Sequence, residues 1–444
     1  MSDGTDAPLQ PTMSVQPRTW HGTSYAWRFG RHVTARRVDQ LLRTRALGRL
    51  PMAWRARFDS MGLPASVVSS TLAGIRALPQ WSEAWTATAQ HFLGEARRAE
   101  REQVEENGAL ATRHAALCYQ IASWFAFDDP RVARTCRASA VSLFSRTVPA
   151  TLPDTRRVLI PWRAQSLPGY LTVPKTGSDL DQRPLVVLLN GVTTTKEELI
   201  LWRHAYIERG MAVLALDWPG TGEAIEHGPS PDHDDFTDGL IDLARHDREL
   251  DPDRIALVGL SLGGAMAIRA AALDRRIAAV VAVTPPFDAR PWSRAAPPLP
   301  SQQVGLWGTT DAHGAERAEG FALEPVLAKL KSPMLVFGGG RDFIVPPSEA
   351  VRLAAAHGEA ATLVWFENGG HGLYDVLDQW TADCAAWLEA VFSSGQSPVV
   401  HPASTQVDTT HEDAGTWQDA WDKTGPVAEN NTPGESVNRP DALP

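Results

Sequence analysis

The chain has 444 residues, 43% of them hydrophobic and 21% charged, with a formal net charge of −10. Such a length and balance suit a globular protein with a large core in two or three domains, and exclude collagen-like or wholly disordered chains. No apolar run approaches the ~20 residues that span a bilayer, residues 1–16 lack a signal pattern, and Cys118, Cys136 and Cys384 have neither disulfide nor metal spacing, so a reduced, cytoplasmic protein is expected.

Residues 1–19 are polar and are expected to be disordered. From 20 to 150 the sequence reads as a helical domain, with apolar residues at three- and four-residue spacing over 33–47, 82–98, 109–127 and 130–146. Up to Tyr170 the chain carries 22 arginines, no lysine and 13 acidic residues, so this part is positive while the remainder is strongly negative. The arginines are interleaved with acids along helical patterns, which fits solvated helix faces and opposed charges between segments better than nucleic-acid binding.

The texture changes at Thr155. Short apolar runs predict strands at 157–160, 170–173, 185–189, 212–216, 255–260, 278–283, 334–337 and 362–366. Helical patterns intervene at 196–208, 236–250, 347–356 and 375–391. Apolar strands alternating with helices predict a mainly parallel sheet with helices on both faces, over 151–394. Residues 395–444 are polar, without periodicity, and are expected to be a disordered tail.

The chemistry is announced by Gly-Leu-Ser-Leu-Gly-Gly at 259–264, which follows an apolar strand and precedes a helix-forming stretch at 265–273. A serine at that junction needs small residues two before and two after it, and its hydroxyl is then presented above the sheet beside a helix N-terminus. Ser261 is therefore the candidate nucleophile. Gly-Gly-His-Gly at 369–372 follows the last predicted strand, so His371 is the candidate base. His204, His227, His246 and His357 have no comparable setting. The strand at 334–337 runs into Gly-Gly-Gly-Arg-Asp, which makes Asp342 the candidate orienting acid, although an Asp in a turn often only caps backbone. The order Ser261, Asp342, His371 is that of α/β-hydrolases and differs from the chymotrypsin and subtilisin orders. The oxyanion donors expected are the N–H of Leu262, next to the nucleophile, and that of Val192 in Asn190-Gly191-Val192-Thr193, with Gly191 or Thr193 as alternatives to Val192.

Over about residues 109–391 the chain resembles a branch of the α/β-hydrolases that includes FrsA-like esterases, yellowish-green heptaketide hydrolases and 2,6-dihydroxypseudooxynicotine hydrolases. The resemblance rests on Leu-Pro-Gly-Tyr-Leu-Thr-Val-Pro at 167–174, on 190–198, on Asp-Trp-Pro-Gly-Thr-Gly-Glu at 217–223, and on the serine, acid and base segments. Asn190 stands where the family usually has the first of two glycines. The resemblance implies an α/β-hydrolase fold whose N-terminal helical domain acts as a lid enclosing substrate. Aromatic residues there, Trp81, Trp85, Trp124, Phe125 and Phe127, are candidates for that wall, although aromatics at helical spacing are more often core. It also suggests a substrate-side acid in the 284–328 stretch, with Asp288 the candidate and Trp292 a possible contact.

These features predict a cofactor-independent, metal-free serine hydrolase that cleaves an ester or acyl bond of a small polyketide- or alkaloid-like compound. Cleavage of a carbon–carbon bond in a β-diketone or ketone, or acyl transfer or cyclisation on the same residues, is the alternative. Its expected partner is a small acyl or ketone substrate, without nucleic acid or membrane, and a homodimer is left open. The rival from another class is a non-catalytic binding or regulatory protein of the same fold, which would have no need of Ser261, Asp342 and His371 together.

Overall fold

The computed structural model describes residues 52–77, 79–124, 130–175, 182–227, 230–288, 320–342 and 344–394. The expected disordered ends at 1–19 and 395–444, the helix expected at 33–47, and Phe125, Phe127 and Trp292 lie outside these residues.

Among the described residues, five helices come first: α1 (Met52–Ser60), α2 (Ala65–Gly74), α3 (Gln80–Arg101), α4 (Glu105–Ala122) and α5 (Pro130–Thr151). Strands β1 (Thr155–Trp162), β2 (Gln165–Thr172) and β3 (Arg183–Leu189) follow, then the short helices α6 (Lys196–Leu199) and α7 (His204–Ile207), β4 (Ala212–Leu216), α8 (Thr237–His246) and β5 (Leu250–Leu260). The remainder is α9 (Leu262–Leu273), β6 (Ile277–Val283), α10 (Glu324–Leu327), β7 (Met334–Gly339), α11 (Ser348–His357), β8 (Ala361–Phe366) and α12 (Leu377–Ser394).

The eight strands form one sheet in the order β1-β2-β4-β3-β5-β6-β7-β8. β1 and β2 are an antiparallel hairpin, β2 pairs antiparallel with β4, and every later pairing is parallel. The parallel strands β3, β4, β6 and β7 are buried along almost their whole length, as is β5 from Ile255 onward, which explains their continuous Val, Leu and Ala runs. Chain reversal from strand to helix places Ser261, Asp342 and His371 beyond the C-terminal ends of β5, β7 and β8. That is the edge where parallel α/β sheets bind ligands.

Two apolar clusters lie on the two faces of the sheet. One holds Trp85, Phe92, Leu117, Phe144 and Trp124 of the helical segment together with Tyr170, Val186, Val258, Phe337 and Trp380 of the sheet region. The helical segment thus completes the core over one sheet face. Among the described residues, no helix is long and apolar enough to cross a membrane.

Two expected helices end differently. The pattern at 196–208 breaks into α6, a 3₁₀ turn at Ile200–Trp202, and α7. The charged side chains of its first turn are buried, Lys196 on Asp217 and Glu223, Glu198 on Arg57, and Glu197 against Lys196. The pattern at 236–250 stops at His246: Asp247 is extended, and its carboxylate accepts the Glu249 N–H at 3.1 Å, turning the chain into β5.

Candidate active site

Ser261 sits between β5 and α9 at φ 53°, ψ −121°, a left-handed conformation that costs a non-glycine residue about 1–3 kcal/mol. The surrounding fold enforces it. A Cβ on Gly259 would lie 2.1 Å from the Gly263 carbonyl oxygen, and one on Gly263 would lie 2.4 Å from that of Asn190. The two flanking glycines are therefore required by close backbone approach. The Ser261 N–H donates to Val283 O at the end of β6 (2.8 Å), and its own carbonyl accepts from Gly264 N–H at 2.9 Å. Leu262, fully buried at the first position of α9, has a first-turn N–H with no carbonyl one turn earlier to bond to, as an oxyanion donor needs.

The 190–194 turn lies against this elbow: the Cβ position of Gly191 is 3.4 Å from Ser261 Cβ. It is closed from within, because Asn190 Nδ2 donates to Thr194 O (2.6 Å) and the Gly191 N–H to Thr194 Oγ1 (2.6 Å). The Gly191 N–H is thereby committed, leaving Val192 and Thr193 as candidate second donors. Asn190 is fully buried, and its carbonyl accepts from Trp218 Nε1 (2.7 Å) while its Oδ1 accepts from Thr221 Oγ1 (3.0 Å). An asparagine side chain here makes bonds that a glycine could not.

His371 Nδ1 lies 2.8 Å from Asp342 Oδ2. The other oxygen, Asp342 Oδ1, accepts the N–H groups of Ile344 and Val345, each at 2.8 Å. An ionised carboxylate only accepts, so Nδ1 carries the imidazole proton and Nε2 is the basic nitrogen. The base loop turns sharply, with Gly372 at φ 75° and Leu373 at φ 50°. The Gly372 N–H is fixed by Thr284 Oγ1 at 3.1 Å.

The thiols offer no competing nucleophile. Cys118, Cys136 and Cys384 are free and buried, and burial raises the pKa of each, that of Cys384 to about 12. Among the described residues, no cluster of three or more His, Cys, Asp or Glu could hold a metal ion.

Beside the 190–194 turn lies a buried charge cluster that sequence reasoning did not anticipate. Lys196 is wholly buried, and its Nζ is 2.9 Å from Asp217 Oδ2, 2.6 Å from Glu197 Oε1 and 2.5 Å from Glu223 Oε2. Asp217 also accepts the backbone N–H groups of Lys196 and Glu223, both at 2.9 Å. A Cβ on Gly222, which has φ 49°, would fall 1.9 Å from the Asp217 carboxyl carbon. The 217–223 motif is thus a clamp on Lys196, and its last glycine makes room for the aspartate.

Arg57 of α1 is a second unanticipated residue. It is 9% exposed and forms a bidentate pair with Glu198, Nε to Oε2 at 3.0 Å and Nη2 to Oε1 at 2.8 Å. Nothing in the sequence singles it out among the many arginines of this segment.

Of the candidate substrate contacts, Trp124 is buried, stacked on Phe58 with centroids 5.8 Å apart and covered by the Arg57 guanidinium at 3.9 Å. Trp81 and Trp85 are core residues. Asp288 is buried in the segment after β6, and its backbone N–H donates to Glu349 Oε2 at 2.9 Å.

Comparison with known proteins agrees with this architecture. Residues 66–289 match the FrsA-like esterase family and residues 199–395 the prolyl oligopeptidase family. A 2,6-dihydropseudooxynicotine hydrolase of Paenarthrobacter nicotinovorans is 26% identical over 333 residues, covering 74% of this chain and 89% of that protein. The hydrolase acrC of Aspergillus aculeatus is 33% identical over 235 residues, covering 47% of this chain and 54% of the relative, so the match spans about half of that fungal protein. The crystal structure of 2,6-dihydroxy-pseudo-oxynicotine hydrolase superposes with TM-score 0.67 at 24% identity, covering 78% of this chain and 97% of its own. AbyA5 superposes with TM-score 0.59 at 22% identity, covering 73% and 90%. On these matches, together with the sheet order and the strand-end placement of the serine, the chain belongs to the FrsA-like esterase family and is a hydrolytic enzyme of the α/β-hydrolase type.

Proposed function

We propose that the enzyme is a serine hydrolase that cleaves an ester or acyl bond of a small organic substrate through an acyl-enzyme. The observation that carries this reading is the 2.8 Å His371–Asp342 hydrogen bond at the same strand-end edge as the strained Ser261. His371 Nε2 takes the proton of Ser261 Oγ, and the oxygen attacks the substrate carbonyl carbon. The N–H groups of Leu262 and Val192 receive the oxyanion, and Asp342 stabilises the imidazolium that forms. Collapse of the tetrahedral intermediate breaks the bond to the leaving group, which departs with the proton from His371. Water then attacks the acyl-enzyme by the same route and frees Ser261.

The likeness to a pseudooxynicotine hydrolase supports a polyketide- or alkaloid-like substrate rather than a peptide. Asp288 favours a second reading, cleavage of a carbon–carbon bond next to a ketone. It is a buried carboxyl four residues beyond Thr284, and a carbanion-like leaving group needs a further proton source. Labelling by a fluorophosphonate of the wild type but not of Ser261→Ala is the expected result. Failure of the wild type to label would overturn the reading of Ser261 as nucleophile. Mass analysis of products from a panel of aryl esters and β-diketones separates the two hydrolytic readings.

A further inference from the structure

We infer that Arg57, carried by the N-terminal helical segment, is a positioning residue for hydrolysis: it holds the 190–194 turn in the shape that presents the oxyanion donor. The inference rests on the reading of Ser261 as nucleophile and of that turn as its oxyanion loop.

The geometry is specific. Besides its bidentate pair with Glu198, Arg57 donates from Nη1 to Thr193 Oγ1 and from Nη2 to Thr193 O, both at 2.9 Å. Gln120 of α4, only 1% exposed, sends Nε2 to the same carbonyl at 3.3 Å. Two helical-segment side chains thus grip one residue of the turn. Asn190 and Thr194 close that turn from inside, but their bonds leave Val192 and Thr193 at its tip unconstrained. Fixing the carbonyl holds the 193–194 peptide, and fixing the side chain as well anchors Thr193 itself, so the turn cannot swing and carry the adjoining Val192 N–H away from Ser261. A turn released from that grip would turn its N–H away from the place where the oxyanion develops.

The guanidinium is itself immobilised. Trp124 lies under it at 3.9 Å and Tyr374, three residues past His371, at 5.7 Å. Burial alone would lower its pKa, but Glu198 outweighs that and raises it, so Arg57 stays charged. The same helix therefore touches both the oxyanion turn and the base loop, and a planar fork with five donors meets a geometry that a lysine ammonium cannot copy. Arg57 touches no reacting atom and acts through Thr193.

The test compares wild type, Arg57→Lys, Thr193→Val and Ser261→Ala on an activated aryl ester, together with inhibition by an aryl boronic acid, whose tetrahedral adduct needs the oxyanion donors. We expect Arg57→Lys to lower kcat about 10²-fold, the scale of losing one oxyanion donor, with KM changed less than about threefold. Boronate affinity should fall in parallel with kcat/KM, which a merely structural defect would not produce. Wild-type kcat and boronate affinity in folded Arg57→Lys would overturn the inference while leaving Ser261 as nucleophile. Full activity in Ser261→Ala would overturn the underlying reading and the inference with it. Should Arg57→Lys fail to fold, Thr193→Val and Gln120→Leu each remove one contact. Several-fold losses of kcat at unchanged melting temperature support the inference, and unchanged kcat in both overturns it.

Discussion

The backbone N–H of Gly372 donates to Thr284 Oγ1 at 3.1 Å, and Thr284 stands at φ 45°, a conformation that β-branched residues almost never adopt. Its own N–H donates to Phe337 O at the end of β7 (2.8 Å), and the preceding carbonyl, of Val283, accepts the Ser261 N–H. One buried residue beyond β6 therefore ties the elbow of the candidate nucleophile, the end of β7 before the candidate acid, and the loop of the candidate base together.

Thr284→Val keeps the shape and the strained backbone but removes the acceptor. The buried Gly372 N–H is left unsatisfied, at a cost of about 1–3 kcal/mol. We expect a lower melting temperature and roughly tenfold lower kcat/KM, as the imidazole loses its fixed position. Thr284→Ser keeps the hydroxyl and should retain most activity. Equal kcat/KM in the valine and serine variants would show that this bond does not position His371.

Ser261→Ala and His371→Ala should each lower kcat by several orders of magnitude, and the double variant should be no worse than either, because such residues act as a unit. Stopped assays at saturating substrate measure this. Multiplicative losses in the double variant would mean that the two residues do not share one chemical step.

Asp342→Asn should cost about 10²–10⁴-fold in kcat. The Ile344 and Val345 N–H groups hold one carboxylate oxygen, so the substituted carboxamide would keep its oxygen there and turn its nitrogen toward His371. That amide nitrogen can only donate, which forces the proton onto the wrong imidazole nitrogen. Wild-type turnover in Asp342→Asn would remove Asp342 from the mechanism.

What was legible in the sequence was whatever local physics dictates. The doubly buried strands show as Val and Leu runs, and the elbow as glycines two residues either side of Ser261. The candidate acid and base show as an Asp and a His in glycine-rich turns after strands. The helical reading at 196–208 missed the break because Lys196, Glu197 and Glu198 resemble an exposed first turn, whereas all three are buried, Lys196 and Glu198 on partners distant in sequence. Arg57 was invisible for the same reason: its carboxylate lies 141 residues away, and no local pattern distinguishes a buried arginine from a solvated one. The Asp-Trp-Pro-Gly-Thr-Gly-Glu segment was recognisable as a motif, but its purpose was not. Only the fold brings Asp217 and Glu223 onto one ammonium.

That cluster gives a pH dependence with a definite sign. Burial alone would raise the Glu223 pKa, but Lys196, together with the hydrogen bond from Arg157, outweighs it and holds the carboxyl below the ordinary glutamate range. A group whose pKa is depressed on folding adds stability above its unfolded pKa and loses it as pH falls through the lower folded value. Comparing wild type with Glu223→Gln cancels the titration of the other carboxylates. Urea unfolding from pH 7 down to 3 should show the wild type more stable at neutral pH, with the gap closing on acidification. Lys196→Met is the harsher change, since it strands Asp217, Glu197 and Glu223 without their shared cation, and breaking a buried pair costs about 3–5 kcal/mol. It should also weaken activity, because Trp218 and Thr221 of the same loop hold Asn190 at the start of the proposed oxyanion turn. A stability gap that widened toward acid pH would show that Glu223 is destabilising as a carboxylate in the folded protein, and that Lys196 is not its controlling partner.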